Sequence, residues 1–254
     1  DALSDSNDHV RQAAVMSLGW MGRRAKHCVP EMVPLLEDDS PLVRSGAAWA
    51  LGRVGSAAAE ATPLLVKLVE TKDEPARLWA IRTIGAIGAG AKDAVPVLVG
   101  VIQDESDPHR ADAIDSTGAI GAAAADAVPA LVAAMQDAEL DAAEEDGGDE
   151  EFDPSRGGKL LNQFVWRYTY SRGTPPQQLR DSERAVDALI KIGSPSVPAI
   201  TAALTHDVLS IRVGAVKVLI EQHEPSSVSW PAVIAAFRQR GGVSWTCLTR
   251  YLAY

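Results

Sequence analysis

The sequence predicts an all-α solenoid, a superhelix of stacked antiparallel helical hairpins, and three observations carry that reading. First, Arg11, Arg44, Arg77 and Arg110 stand 33 residues apart, and so do Gly19, Gly52, Gly85 and Gly118, then Gly22, Gly55, Gly88 and Gly121, then Pro30, Pro63, Pro96 and Pro129. Second, the chain is 46% hydrophobic but only 5% aromatic, with alanine recurring throughout, which suits closely packed helices better than a β-sandwich. Third, proline and glycine fall at the starts and stops of each unit, as helix punctuation requires. A repeat of this length cannot bury its apolar face alone, so successive units must stack.

Each unit reads as two helices. The longer one carries the arginine, as in Pro41-Leu42-Val43-Arg44-Ser45-Gly46-Ala47-Ala48-Trp49-Ala50-Leu51-Gly52-Arg53-Val54-Gly55, and its last glycine predicts a left-handed C-cap. The shorter one begins near the proline, as in Ala94-Val95-Pro96-Val97-Leu98-Val99-Gly100-Val101-Ile102, because proline's fixed φ and missing N–H suit a first turn. This pattern covers residues 1–136. It returns over 179–254, where Pro198 and Pro231 are 33 apart and Arg212 follows Pro198 by 14, as Arg44 follows Pro30. There the glycine pair decays to Ile190 and Gly193, then to Ile220 and His223. One continuous solenoid is expected.

Between the two blocks, over residues 137–178, the repeat fails. Residues 137–155 hold ten acids and no Lys or Arg; removing them takes the acid count from 34 to 24, equal to the 24 Lys and Arg, so they account for the net charge of −10. An acidic loop followed by a helix carrying Leu160, Leu161, Phe164, Val165 and Tyr168 is expected, with a degenerate repeat as the alternative because Pro129 and Pro198 are nearly two periods apart. The acids read first as a solvated linker and second as a recruitment or cation-binding element.

Helical geometry then sorts the long helices into faces. Three residues past each arginine stands Ala14, Ala47, Ala80, Ala113 or Ala215; with apolar residues four and seven past it, these cluster on the arginine's side, which marks the packed face. The arginines Arg11, Arg44, Arg77, Arg110 and Arg212 are therefore read as structural, paired in a ladder with acids such as Asp5, Asp38 and Asp104, six residues before their own arginines. Offsets of two, five and nine fall on the opposite side. They place Ala13, Met16 and Trp20 on the first long helix, Gly46, Trp49 and Arg53 on the second, Trp79, Arg82 and Ala86 on the third, and Asp112, Asp115 and Ala119 on the fourth. Tryptophan is enriched at interaction hot spots, so Trp20, Trp49, Trp79, Met16, Arg53, Arg82, Asp112 and Asp115 are the candidate partner-binding residues. The competing reading makes the tryptophans core filling for a tight superhelix.

The motif V-R-x-x-A-x-x-x-L-G-x-[IVM]-G, running into a [VT]-P-x-L helix, resembles HEAT-like repeats of the phycobilin-lyase type. The resemblance covers residues 7–136 closely and 181–254 more loosely. It implies a solenoid whose long helices line a concave partner-binding face, and, as an alternative, a tetrapyrrole-handling protein in which Arg53 and Arg82 meet propionates. HEAT-like deoxyhypusine hydroxylases bind iron through repeated His-Glu pairs, but here only His223-Glu224 occurs. The histidines His9, His27, His109, His206 and His223 share no offset, and no phosphate loop, nucleophile elbow or zinc spacing is present.

The expected function is therefore a non-catalytic protein-binding scaffold or assembly subunit, without catalytic residues, metal or cofactor. An acidic chain lacks the clustered cations that nucleic acid needs. No run of 18 apolar residues occurs and no signal core opens the chain, so a soluble protein is expected, and Cys28 and Cys247, read as small buried hydrophobes, fit the cytoplasm.

Overall fold

Glycine determines where each long helix stops. Gly22, Gly55, Gly88, Gly121 and Gly193 follow their last turns with φ between 57° and 79° and ψ between −133° and −143°. The sign of φ is the one expected, but ψ places them in the mirror-image extended region, beyond the αL cap that the sequence suggests; a side chain fits still less well there. The chain leaves this turn as a short 3₁₀ segment, and a proline at the first or second position starts the next helix.

A computed structural model of the chain describes residues 2–72, 74–136 and 180–222. In chain order its helices are α1 (Asp8–Met21), α2 (Val29–Met32), α3 (Pro41–Val54), α4 (Thr62–Glu70), α5 (Ala76–Ile87), α6 (Val95–Gln103), α7 (Arg110–Ile120), α8 (Val128–Ala134), α9 (Asp181–Ile192), α10 (Val197–Ala203) and α11 (Leu209–Glu221). The odd-numbered helices are the long members of each hairpin and form one layer; the short ones form the other. There is no strand among the described residues, as an all-α solenoid requires.

The apolar offsets bury as their spacing dictates. Ala47, Ala80, Ala113 and Ala215 are inaccessible, as are Leu51 and Ile84, and they meet Leu36, Leu65, Leu98 and Leu131 of the short layer in one continuous core. Cys28 packs half-buried at its edge, while Cys247 lies outside the described residues. The two most apolar stretches, Ala76–Gln103 and Arg110–Ala134, are each folded back at Gly88 and Gly121 into a hairpin.

What sets the distance between neighbouring long helices is the other glycine series. A β-carbon on Gly19 would lie 2.8 Å from the Cα of Ala50; on Gly85, 2.8 Å from the Cα of Ser116; on Gly118, 2.9 Å from the Cα of Ala188. On Gly52 it would meet the hydroxyl oxygen of Thr83 at 2.5 Å. At this closeness two hydroxyls cross between helices: Thr83 donates to the carbonyl of Ala48 at 2.7 Å and Ser116 to that of Ile81 at 2.9 Å. Because Gly118 lies against Ala188, α9 stacks directly on α7 as α3 does on α1. The acidic segment and its candidate helix lie outside the described residues.

Gly85→Ala should destabilise the protein by roughly 1–3 kcal/mol, since the added carbon meets backbone, whereas Gly100→Ala in α6 meets nothing within 4 Å and should be neutral or stabilising. Ala80→Leu should cost a similar 1–3 kcal/mol at its inaccessible site. Denaturant melts of the three variants check this order, and equal midpoints for the two glycine variants would refute it.

Candidate functional site

The repeat arginines point into the seams between hairpins. Arg11 grips Asp38 of the next repeat in two bonds of 2.8 and 2.7 Å and also donates to the carbonyl of Asp5 at 2.8 Å. Arg44 and Arg212 repeat the second half of this arrangement, donating to the carbonyls of Asp38 and His206, each six residues earlier, at 2.7 and 2.8 Å. Arg77 and Arg110 turn the other way: their Nε groups bond the carbonyls of Val69 and Ile102, eight residues earlier, and their terminal nitrogens reach Asp107 and Asp181 of the following repeat. Each guanidinium thus holds the stretch of chain that leads into its own helix, and Arg11, Arg77 and Arg110 also carry the next hairpin's acid.

The acids differ in part from those the spacing picked out. Asp38 does pair, but with the preceding arginine. Asp104 does not, because its carboxylate is taken by the N–H and hydroxyl of Ser106. Asp107 meets Arg77 in its place, both side chains almost fully buried. Hydrogen bonds from Arg11 hold the Asp38 carboxyl below the usual carboxylate range against the opposing effect of burial. For Asp107 burial is the largest influence and opposes ionisation, yet Arg77 and the N–H of His109 overcome it and keep the pKa low.

On the opposite side of the long-helix layer the structure separates the predicted residues. Trp20 is the most exposed large apolar side chain among the described residues, at 70%. Trp49 is only half-buried: its ring lies edge-on to Trp20, with centroids 5.2 Å apart, and rests over Gly19, which has no side chain to displace it. Trp79 is also half-buried, against the core, and the Arg82 guanidinium stacks 5.5 Å above its ring. Gly46, placed on the free side by its offset, is in fact buried under Val15, Gln12 and Met16 of α1, because an offset of two faces the preceding long helix. Met16 is itself half-buried, while Arg53 is exposed.

Beyond Trp79 the strip becomes a charge network. Arg82 bonds Asp112 at 2.7 Å, and Asp115 is bonded by Arg184, whose side chain is nearly buried. Burial raises the Asp115 carboxyl above its usual range despite the nearby charges of Arg184 and Lys191. These four charged residues, with Gly85 and Ser116, line an open depression of about 480 Å³. Sequence reasoning missed Arg184, because the acidic interruption breaks the arginine series and Ser182 stands at the arginine's place in α9. Counting back nine residues from Gly193, as Asp112 stands nine before Gly121, would have found it.

Comparison with known proteins now bears directly on the architecture. The profile of HEAT repeats matches residues 1–84 and again residues 61–145, more than half of the chain. The protein belongs to the HEAT-repeat family. This match is to HEAT repeats in general and does not reach the lyase type. No curated sequence matches this HEAT-repeat protein. Among solved structures it is similar to an engineered protein at 18% identity and a TM-score of 0.50, covering 87% of this chain and 93% of that one. An archaeal HEAT-like repeat protein from Thermococcus onnurineus NA1 aligns at 13% identity with a TM-score of 0.44, covering 86% of this chain and 81% of that one. At 18% identity the likeness to the engineered protein speaks for the fold alone.

Asp107→Asn keeps the side-chain oxygen that accepts from His109 but leaves the buried Arg77 with only the half-exposed Glu74 carboxylate, 4.0 Å away, which should cost about 3 kcal/mol. Since the folded carboxyl titrates below the unfolded one, the pair's contribution is complete above about pH 5 and is lost as pH falls through the depressed value. The gap between wild-type and variant melts should therefore be constant from pH 7 to about 5 and shrink below about pH 4. A gap that does not depend on pH would refute the charge-based account.

Proposed function

We propose that this HEAT-repeat protein is a non-catalytic scaffold that binds a protein segment along the free side of its long helices, on the concave face of the solenoid. The observation that carries the proposal is Trp20, a side chain of large apolar area left 70% exposed beside Trp49. An exposed indole offers desolvated contact area together with a polar N–H, which is why tryptophan dominates many binding surfaces.

Charge divides this surface in two. Over the first two long helices it carries Met16, Trp20, Trp49 and the exposed cation Arg53, with no acid at the same offsets. From Arg82 onward, opposite charges are already paired with one another. A segment that combines aromatic or aliphatic side chains with carboxylates fits the first half, with Arg53 as its anchor. The tetrapyrrole alternative asked two arginines to meet propionates. Arg82 is held by Asp112 and Trp79, and that engagement favours the scaffold reading.

Trp20→Ala should weaken partner binding by about 2 kcal/mol or more with little change in stability, because the ring is mostly in water. Trp49→Ala should lose both, with a stability cost of about 1–3 kcal/mol, since its ring also covers Gly19. Affinity capture with cross-linking from native lysate, followed by titration of the captured protein against each variant, measures this. Undiminished binding by a stable Trp20→Ala protein would remove the site, and a stoichiometric visible pigment on the purified protein would favour the tetrapyrrole alternative.

A further inference from the structure

We infer that the turn Gly22–Cys28, which follows α1, is a docking surface for a short acidic peptide segment of a partner protein. It lies where the chain passes from the long-helix layer to the short one. The surface uses none of the tryptophans and does not rest on the strip they mark.

The repeats supply their own control. Gly22–Cys28, Gly55–Ala61, Gly88–Ala94 and Gly121–Ala127 are 3₁₀ segments that occupy the same place in successive hairpins. An inward residue holds each to the core: Ala25, Ala58, Ala91 and Ala124, 33 residues apart and at most 1% exposed. Around it the fourth turn carries Ala122, Ala123, Ala125 and Asp126, so the fold needs nothing larger than alanine at most of these positions. In the first turn the same positions are Arg23, Arg24, Lys26 and His27, and all four are exposed. Counterparts inside the stack, such as Ser56, Ala57 and Asp126, are exposed as well. Openness here is a property of every turn and does not depend on its place in the stack.

The seam arginines are each bound to carbonyls or carboxylates, whereas among the described residues the side chains of Arg23, Arg24, Lys26 and His27 have neither hydrogen bond nor ion pair. Even Glu31, four residues past His27, leaves them unpaired. Residues three apart eclipse in a 3₁₀ helix, so Arg23 stands over Lys26 and Arg24 over His27. Like charges held this close repel one another, and an anion bound between them removes that repulsion. Two guanidinium forks side by side are suited to carboxylates, which they can engage with paired N–H donors.

The extent of the patch selects its occupant. The place of His27 is taken in the following turns by Glu60, Asp93 and Asp126, all exposed. Packed helices stand about 8–10 Å apart, so a patch confined to one turn is roughly 10 Å wide, the span of about three extended residues. A nucleic-acid backbone or a lipid surface reaches well beyond that and meets the acids, in a chain of net charge −10. Consecutive carboxylates on a peptide fit inside it, as acidic motifs fit arginine clusters.

The test titrates fluorescein-labelled hexaglutamate into the full chain at low salt and follows its anisotropy. Saturable binding that weakens as salt is added is expected. Arg23→Ala combined with Arg24→Ala copies Ala122 and Ala123 of the fourth turn, so it should lower affinity about tenfold while Tm stays within about 2 °C. Trp20→Ala, on the strip, and Lys92→Ala, which removes an exposed cation of the third turn, should bind like the parent. A chain whose ten acids over residues 137–155 are changed to their amides guards against competition from within the molecule. The inference is overturned if neither chain binds the peptide saturably, or if the double variant binds as tightly as the parent. It is also overturned if Trp20→Ala or Lys92→Ala loses as much affinity as the double variant. Tighter binding of an oligothymidylate or of phosphatidylserine vesicles than of hexaglutamate would overturn it too, for then the surface serves nucleic acid or a membrane.

Discussion

Everything in this solenoid depends on how closely the long helices approach one another at Gly19, Gly52, Gly85 and Gly118. At these points a neighbouring Cα or hydroxyl occupies the space where a side chain would stand. Such spacing brings the hydroxyls of Thr83 and Ser116 within reach of carbonyls on the next helix, and it explains why alanine, not leucine, occupies the offset beside the arginine. Interiors packed to this density do not accommodate an added methylene without moving backbone.

Close helices bring their arginines close to the next hairpin as well. A guanidinium in a seam must find acceptors, and here it finds two kinds: carbonyls of the stretch of chain that leads into its own helix and a carboxylate of the next hairpin. This explains why the arginine keeps its place while the acid wanders from Asp38 to Asp107 to Asp181. A planar donor with five N–H groups accepts partners from several directions.

The free side of the long helices follows from the packed side. Trp49 has room because Gly19 has no side chain, so a residue read as pure surface is held by the same glycine contact that spaces the helices. Trp20 has no such support and stands in water, and for that reason it is the more telling of the two as a binding residue. Arg184 enters the strip only because α9 stacks on α7, which joins two parts of the chain separated by the acidic segment.

The sequence by itself determined the hairpin, its period, its helix ends and the identity of the packed face, because glycine, proline and apolar spacing act locally through φ/ψ and helical geometry. It also made Trp20 and Arg53 visible as residues on the far side of the core. Only the tertiary structure decided which acid each arginine meets, that Gly46 is buried, that Arg82 is engaged by Asp112 and Trp79, and that Arg184 joins Asp115. Those outcomes depend on the lateral register of neighbouring helices. Shifting that register by a fraction of a turn exchanges one partner for another while leaving every local preference satisfied.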